Sequence, residues 1–416
     1  MSKLQRVAIV APKGDYNNNV LPLFARNLAQ AFQAKGLETL ALDSAASDFR
    51  RRLLTAALDP ATAVYAGHFF YDMGLVHADE VGSHRMSLFE ALDRPVFARI
   101  ADHPFAEFMW SRIEEAAPTT RFLMPSGEFE AETRFLNPRL THFHQVTPTL
   151  TVEPPADDEV KPLAERGIDL FVPCGIKPIS PRMEQYLQRY RESGHRMAQV
   201  VDETVEEGLV ARDRAIMDIF LEAIRRHFGA RFQPASPLSE GDREILFMLS
   251  CADFKVRTFR RLNVIDRLTR LDPVLRIVIT MPEALRADMP SLRERSNIEL
   301  IGKVDAAEAR RLYLDSRYVL NVNPTYVSLV SERVRNAMAY GCCVISDRTA
   351  HAARTYTEGE EILFLQGSDV APLNDQLKQG LERAQAMATR ARRRVLEDST
   401  IPRLADDIAA VMEAAL

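Results

Sequence analysis

Ser331-Glu332-Arg333-Val334-Arg335-Asn336-Ala337-Met338-Ala339-Tyr340-Gly341-Cys342-Cys343-Val344-Ile345-Ser346-Asp347 is the stretch that decides the fold of this chain. It follows a strand-like run over residues 318–324, so the local order is strand, loop, helix, strand. Its apolar residues have helical spacing, and Gly341 is a typical helix stop because glycine adopts left-handed backbone at little cost. A helix that starts beyond the carboxyl end of a parallel strand favours an anion, since its first N–H groups are free and its dipole is positive there.

Strand-like and helical segments alternate along the chain. The strand-like runs cover residues 6–11, 38–43, 63–66, 96–101, 121–124, 142–146, 168–172, 276–280 and 298–302. Strands that alternate with helices are typical of parallel sheets with helices on both faces. We therefore predict an α/β fold with two Rossmann-like, doubly wound domains.

The length of 416 residues is too great for one ordinary hydrophobic core. We predict a first domain over 1–151, a proline-rich acidic linker over 152–166 and a second domain over 167–400, with a helical insertion at about 182–271. Pro402 separates the preceding helix from a terminal helix over 401–416.

The composition excludes several classes of function. A net charge of −5 and a pI of about 6.1 do not favour nucleic acid as a partner. Neither a transmembrane run nor a signal-peptide core is present in the sequence. The cysteines lack metal-ligand spacing and lie in apolar runs, so we expect buried free thiols and a cytoplasmic protein: Cys174, Cys251, Cys342 and Cys343.

The stretch 331–347 resembles the segment that binds the nucleotide-sugar donor in group-1 glycosyltransferases, which are mostly retaining enzymes of the GT-B fold. The Arg333-Val334 pair, followed by Ala-Met-Ala-Tyr-Gly, is similar in particular to their spore-maturation-protein-like branch. Gly302-Lys303 follows a strand where the family places backbone near the donor base, and Asn323 stands in the loop before the donor helix. The resemblance covers residues 298–366, with a looser match over 168–400.

This resemblance implies a glycosyltransferase that moves a sugar from a nucleotide diphosphate sugar to an acceptor, which is a glycan, a lipid or a protein. It implies no cofactor besides that donor substrate, which would bind mainly to the second domain. The terminal helix of the family commonly packs back on the first domain. Many group-1 enzymes carry two glutamates eight positions apart, and Ser328 and Asn336 occupy those positions here. Retention of stereochemistry is accordingly a family expectation.

The resemblance and the residue chemistry together nominate the site. His103, in Asp102-His103-Pro104 after a strand, and Glu332, in the first turn of the donor helix, are the predicted catalytic residues. Arg333 is the main candidate for the diphosphate, because a guanidinium matches phosphate oxygens in a bidentate way. The remaining predicted donor-binding residues are Lys177, Ser331, Asn323, Asn336, Gly302 and Lys303. We predict no metal at this site, since the sequence has no Asp-x-Asp triplet.

Other polar groups have weaker claims. The cluster Lys255, Arg257, Arg260 and Arg261 is interpreted as a solvated or salt-bridged helix face, with phosphate binding as the alternative. The arginines at 390 and 392–394 are also interpreted as solvated, and peripheral contact with anionic lipid head groups is the alternative. His68 and the polar loop 13–19 are further candidates for ligand contact.

Two other classes of function fit the same architecture. One is a nucleotide-sugar epimerase or hydrolase of GT-B fold, which would consume the donor without an acceptor. The other is a non-catalytic scaffold that binds a nucleotide sugar, and the absence of the two glutamates favours it.

Overall fold

The computed structural model describes residues 4–11, 20–67, 88–173, 175–176, 179–286, 289–323, 325–365, 367, 369–378 and 380–416. The strands are β1 (Arg6–Ala11), β2 (Glu38–Asp43), β3 (Thr62–Ala66), β4 (Val96–Arg99), β5 (Thr120–Met124), β6 (Phe143–Gln145), β7 (Ile168–Val172), β8 (Ile277–Thr280), β9 (Ile298–Ile301), β10 (Ser316–Asn321), β11 (Cys343–Asp347) and β12 (Leu363–Leu365). The helices are α1 (Val20–Ala34), α2 (Phe49–Leu58), α3 (Leu88–Ala91), α4 (Glu107–Glu114), α5 (Gly127–Leu136), α6 (Pro181–Glu192), α7 (Arg196–Val210), α8 (Ile216–Phe228), α9 (Glu240–Arg267), α10 (Glu283–Arg286), α11 (Pro290–Arg293), α12 (Ala306–Leu314), α13 (Glu332–Ala339), α14 (Ala350–Thr355), α15 (Leu373–Lys378), α16 (Leu381–Asp398) and α17 (Ile401–Ala415).

The chain divides into two compact units, each built on one parallel sheet. The first unit contains Met1–Glu153, Gln233–Leu246 and Asp398–Leu416, and the second contains Pro154–Phe232 and Phe247–Glu397. The first sheet has the order β2-β1-β3-β4-β5-β6, and the second has the order β12-β11-β10-β7-β8-β9. The predicted α/β fold with two doubly wound, Rossmann-like sheets is confirmed.

Both sheets have a point where the strand order reverses. From its other edge the second sheet runs β9-β8-β7-β10-β11-β12, which is the order 3-2-1-4-5-6 of Rossmann domains. Its reversal lies between β7 and β10, and the first sheet reverses between β1 and β3. Ligands of open α/β sheets bind outside the carboxyl ends of the strands at such a point.

The first sheet is covered on both faces, and apolar residues of its strand β1 pack in both directions. Val7 and Ile9 of β1 pack with α1 and α17, whereas Ala8 and Val10 pack with α2 on the other face. Helix α17 therefore completes the core of the first unit, through five buried apolar residues: Ile401, Leu404, Ala405, Ile408 and Met412. The hydroxyl of Thr149 also donates to the Ser399 carbonyl at 2.8 Å, which fixes the chain just before α17.

The sequence did not indicate that residues 233–246 belong to the first unit. The backbone N–H of Leu238 donates to the Glu114 carboxylate at 3.0 Å, and Arg243 forms an ion pair with the same carboxylate at 2.5 Å. One acidic side chain of α4 thus anchors this distant segment.

The second unit contains the helical insertion and a long buried helix. Residues 181–228 form α6, α7 and α8, and α9 follows with 28 residues. Val264, Ile265 and Leu268 enter the same core cluster as strands β7 and β8. The short strand β12 was not predicted, and it extends the sheet beyond β11.

The acidic segment predicted to be a linker over 152–166 is folded against the second unit. Short 3₁₀ helices form at Asp157–Glu159 and Leu163–Glu165, and the Leu163 side chain lies in the core. Arg166 is only 1% exposed and donates to the Ser316 carbonyl at 2.7 Å and the Tyr340 carbonyl at 3.1 Å. The linker was predicted from the proline and acidic content of the segment. That composition does not reveal that Arg166 is buried and donates hydrogen bonds to several carbonyl groups of the second unit.

Candidate functional site

Helix α13 begins at the carboxyl edge of the second sheet, directly after the loop that follows β10. Ser331 is its N-cap, is 1% exposed, and accepts a hydrogen bond from the Arg333 N–H at 3.4 Å. The helix ends at Ala339, and Gly341 follows the C-cap Tyr340 with a φ of +68°, which is favourable for glycine. The left-handed glycine stop is what the sequence predicted, whereas the capping role of Ser331 was not predicted.

Two arginines hold the opposite end of this helix. Arg166 donates to the Tyr340 carbonyl, and Arg392 donates to the Ala339 carbonyl and pairs with Asp157 at 2.7 Å. Cations at a helix C-terminus complement its dipole and satisfy carbonyls that have no partner within the helix. The orientation of α13 is therefore fixed from its C-terminal end, with its N-terminus at the strand reversal.

Two guanidinium groups meet the loop that follows β7. Arg261 of α9 donates from Nη1 to the Gly175 carbonyl at 3.0 Å. A Cβ atom built on Gly175 would lie 2.8 Å from the Arg333 Nη2 atom, so that guanidinium lies directly against the same loop. Arg333 thus connects the start of α13 with the loop on the other side of the reversal between β7 and β10.

The basic residues of α9 do not form the predicted solvated face. Lys255, Arg260 and Arg261 are 8%, 3% and 7% exposed, and Arg257 pairs with the buried Asp253 at 2.7 Å. Lys255 pairs with Glu184 of α6 at 2.7 Å. The salt-bridged part of the interpretation is correct for Lys255 and Arg257. The solvated part is wrong, because α9 is enclosed by the insertion and the sheet.

The other α9 arginines extend toward the ends of β10 and β11. Arg257 donates from Nε to the Thr325 hydroxyl at 3.2 Å, in the loop after β10. Arg260 donates to the Gly208 carbonyl at 3.0 Å, and burial together with Arg212 lowers the pKa of its guanidinium to about 10. Arg212 pairs with Asp347, the last residue of β11, at 2.8 Å.

We define the guanidinium cluster as the group Arg212, Arg257, Arg260, Arg261, Arg333 and Arg335. Three carboxylates act on members of this group: Asp253, Asp347 and Glu332. Arg212 and Arg257 both act unfavourably on the charged form of Arg260, so an anion bound beside these groups would lower the cost of bringing them together. Sequence reasoning nominated Arg333 but missed the convergence, because residues 212, 257–261 and 333–335 are distant along the chain.

Glu332 and Asn336 lie one turn apart on α13. Burial alone would raise the pKa of the Glu332 carboxyl, but Arg333, a backbone hydrogen bond, Arg335 and Arg261 outweigh it and lower that pKa. Glu332 is therefore a half-buried carboxylate held in its ionised form. Asn336 is 7% exposed, deeper along the helix.

Asn323 shapes the loop between β10 and α13. Its backbone N–H donates to Asp347 at 2.6 Å, and its side-chain amide donates to the Tyr326 carbonyl at 2.9 Å. Its Oδ1 atom is buried and lacks a hydrogen-bond partner among the described residues. The side chain is thus engaged within the loop, and one acceptor atom is left over.

The other predicted donor-binding residues lie elsewhere. Gly302 and Lys303 are exposed after β9, three strands from β10, which is about 14 Å at the usual spacing of strands. Lys177, His68 and the loop 13–19 lie outside the described residues. Among the described residues, the structure therefore joins Ser331, Glu332 and Arg333 with the α9 arginines, and it does not bring Gly302 or Lys303 to them.

His103 is a buried group of the first unit. Its ring is 0% exposed, stacks on Phe105 with centroids 4.6 Å apart, and places Nδ1 3.1 Å from the Glu132 carboxylate. Contact with a donor sugar, as the sequence predicted, would require the ring to become exposed.

Three of the four arginines at 390 and 392–394 are engaged within the protein, and Arg393 is exposed. Arg390 donates to the Glu360 carbonyl at 3.0 Å, and Arg394 pairs with Glu361 at 2.9 Å. Together with the contacts of Arg392, these bonds do not favour the lipid-contact alternative. No helix in the described ranges has both the length and the apolar character needed to cross a bilayer.

Comparisons with known proteins agree with this architecture. Residues 260–410, less than half of the chain, match a family model described as glycosyl transferase-like. No curated protein matches the sequence. All of the site residues 257–261 and 331–336 except positions 257–259 fall inside the matched region.

Solved structures share the fold at very low sequence identity. The Anabaena protein HepE, in complex with UDP and glucose, aligns with a TM-score of 0.52 and 10% identity, covering 99% of this chain and 100% of that one. A DNA-modifying β-glucosyltransferase aligns at 0.51 with 8% identity and covers 99% of both chains. Sucrose-phosphate synthase from Thermosynechococcus elongatus aligns at 0.50 with 11% identity, covering 99% and 98%. These structures share the GT-B fold with this chain, in which two parallel sheets carry helices.

Proposed function

We propose that this protein transfers a sugar from a nucleotide diphosphate sugar to an acceptor that is a glycan, a lipid or a protein. The observation that carries the proposal is the placement of the α13 N-terminus and the Arg333 guanidinium at the strand reversal of the second sheet. Helix N-termini at this position bind phosphate groups in α/β proteins. The HepE and β-glucosyltransferase structures, which were determined with UDP or UDP-glucose, support a nucleotide sugar as the donor.

The guanidinium cluster provides the positive charge that such a donor needs. Negative charge develops on the departing diphosphate while the sugar is transferred, and fixed cations stabilise that charge. Burial, and after it the neighbouring Arg212, lowers the pKa of Arg260 to about 10, so a bound diphosphate would stabilise the charged guanidinium. We therefore extend the proposal to a diphosphate site that works without a metal ion.

Glu332 and Asn336 are the proposed hydroxyl contacts. Glu332 is ionised and accepts hydrogen bonds only, whereas Asn336 can both donate and accept. The group-1 resemblance places glutamates at Ser328 and Asn336, so in this chain Glu332 is the carboxylate that takes over one of their roles. The retaining outcome and the spore-maturation-like branch follow from the resemblance, and NMR of the product anomer tests the former.

A binding experiment with nucleotides tests the donor site. UDP, ADP and GDP are added separately to the full chain in the presence of EDTA, and melting is followed by thermal shift. We expect at least one of them to raise the melting temperature, and Arg333→Ala to abolish that rise. Arg311→Ala is the matched control, since Arg311 is exposed and pairs with Glu308 on the surface of α12. No response to any nucleotide, or a response only with added magnesium or manganese, would contradict the proposal.

A turnover experiment separates transfer from the other two functions. Sugar nucleotides that carry the preferred base are incubated with and without candidate acceptors, and release of the nucleoside diphosphate is measured. Release that depends on an acceptor supports transfer. Release or isomerisation without an acceptor identifies the hydrolase or epimerase alternative, and tight binding without release identifies the scaffold.

A further inference from the structure

A second group of ligand-type side chains lies in the first unit and shares no residue with the proposed donor site. Glu128 and Glu132 are four residues apart on α5 and therefore lie on the same face of that helix. His103 comes from the segment after β4, and its Nδ1 atom is 3.2 Å and 3.1 Å from the two Glu132 carboxylate oxygens. One ligand atom from each of the three residues lies within 4.8 Å of the others.

The surroundings hold these groups in a fixed and nearly dry position. His103 and Glu132 are 0% and 1% exposed, and Glu128 is half-buried, which leaves an approach from solvent. The imidazole is packed between Phe105 and Phe129, with ring centroids 4.6 Å and 5.4 Å away. Two carboxylates thus converge on one imidazole in an apolar setting, where a cation between them lowers the cost of burying charge.

A further buried polar atom lies on the same turn. Ser126 is the N-cap residue of α5 and is 5% exposed, but its hydroxyl makes no capping hydrogen bond. Its Oγ atom has no hydrogen-bond partner among the described residues. A buried hydroxyl two residues before Glu128 can bond to a ligand of that carboxylate or to a water molecule bound with it.

We propose that His103, Glu128 and Glu132 bind one divalent transition-metal ion, with Zn²⁺, Mn²⁺ or Fe²⁺ as the chemical class. One imidazole nitrogen and two carboxylate oxygens suit these metals, whereas Mg²⁺ and Ca²⁺ prefer ligand sets made of oxygen alone. Metal–ligand distances of about 2.0–2.2 Å place neighbouring ligand atoms about 3–4 Å apart, so the observed spacing closes with small rotations of the side chains.

The consequence of this site is structural and differs from that of the donor site. The metal would join the segment after β4 to helix α5 at the carboxyl edge of the first sheet. Binding energy for a metal that binds only the folded state adds to the stability of that state. Loss of the metal therefore lowers the melting temperature without removing the nucleotide site of the second unit.

Metal titration of the chelator-treated full chain tests the proposal. Zn²⁺, Mn²⁺ and Mg²⁺ are titrated separately by calorimetry, and bound metal is measured by mass spectrometry after gel filtration. We expect one equivalent of Zn²⁺ or Mn²⁺, a raised melting temperature, and weak or absent binding of Mg²⁺. Loss of one ligand in Glu128→Gln should weaken binding by about tenfold or more.

Glu130→Gln provides the matched control. Glu130 lies on the same helix, pairs with Arg134 at 2.9 Å, and takes no part in the cluster, so this variant should bind metal as the wild type does. Because Glu128 is only half-buried, Glu128→Gln should keep the wild-type circular dichroism spectrum. Absence of metal binding, or equal binding by Glu128→Gln and wild type, would show that His103 and Glu132 form a simple hydrogen-bonded pair. Mg²⁺ binding as tight as that of Mn²⁺ would exclude the transition-metal assignment.

Discussion

Replacement of Gly175 by alanine should weaken nucleoside diphosphate binding by displacing the Arg333 guanidinium. The new Cβ atom would lie 2.8 Å from Arg333 Nη2, whereas ordinary contacts of this kind need about 3.5–4.0 Å. The guanidinium must therefore move by about 0.7–1.2 Å. Since it is the far end of a flexible side chain, this movement should cost little folding stability.

The magnitude follows from the contact that is disturbed. A hydrogen bond to a charged group contributes about 1.5–3 kcal/mol, and a displacement close to 1 Å breaks its geometry. The dissociation constant should rise by about 10- to 150-fold, with Gly175→Ala near the lower end and Arg333→Ala near the upper end. Both variants should melt within a few degrees of the wild type.

A double-mutant cycle checks that both changes act through one group. Calorimetry with the tightest-binding of UDP, ADP and GDP gives the dissociation constant for each single variant and for the double variant. We expect Gly175→Ala to have no further effect in the Arg333→Ala background, because the displaced guanidinium is then gone. Gly241→Ala is the control, since its Cβ would lie 3.9 Å from Ser239 Oγ, an ordinary distance. Fully additive effects would refute the reasoning.

Three further predictions concern the second unit. Gly341→Ala should lower the free energy of unfolding, measured by urea denaturation, by about 2–4 kcal/mol. The reason is that φ at this position is +68° and the new Cβ would lie 2.7 Å from Val160 Cγ1. A loss below about 1 kcal/mol would count against this steric argument. Burial raises the pKa of Cys342 to about 11 and of Cys343 to about 12, so neither thiol should react with iodoacetamide at pH 8 unless the protein is unfolded. The Glu332 carboxyl has a lowered pKa, so the stability that it contributes is present at neutral pH and is lost as the pH falls through that pKa. Glu332→Gln should therefore be less stable than wild type at pH 7. An equal loss of stability at pH 3 and at pH 7 would contradict this prediction.

The sheet strands could be predicted because each is a short apolar run bounded by polar residues. The observed bounds of β1, β2 and β7 equal the predicted runs, and Ser331 and Gly341 enclose α13 as their cap and stop chemistry requires. These signals are local, so a single sequence contains them.

The convergence of charges could not be predicted, since it depends on tertiary packing. The apolar stripe of α9 was visible, but nothing local shows that Arg257 and Arg261 contact the loops after β10 and β7. The same holds for Leu238, whose backbone bond to Glu114 spans 124 positions. In a helix, the sequence around an arginine is similar whether its side chain is buried or exposed to solvent. The sequence alone therefore does not show which arginines of α9 are buried.

Arg166 and Arg392 hold the C-terminal end of α13 through its carbonyl groups. These contacts matter if the two units are to be expressed separately. Composition would suggest a cut at residue 167, where the regular strand begins. Such a cut removes Arg166, the Pro155 carbonyl and the Asp157 carboxylate, and Arg392 then loses two of its partners. A fragment of the second unit should therefore start no later than Pro154, and an affinity tag or protease site is better placed before that proline than within the acidic stretch.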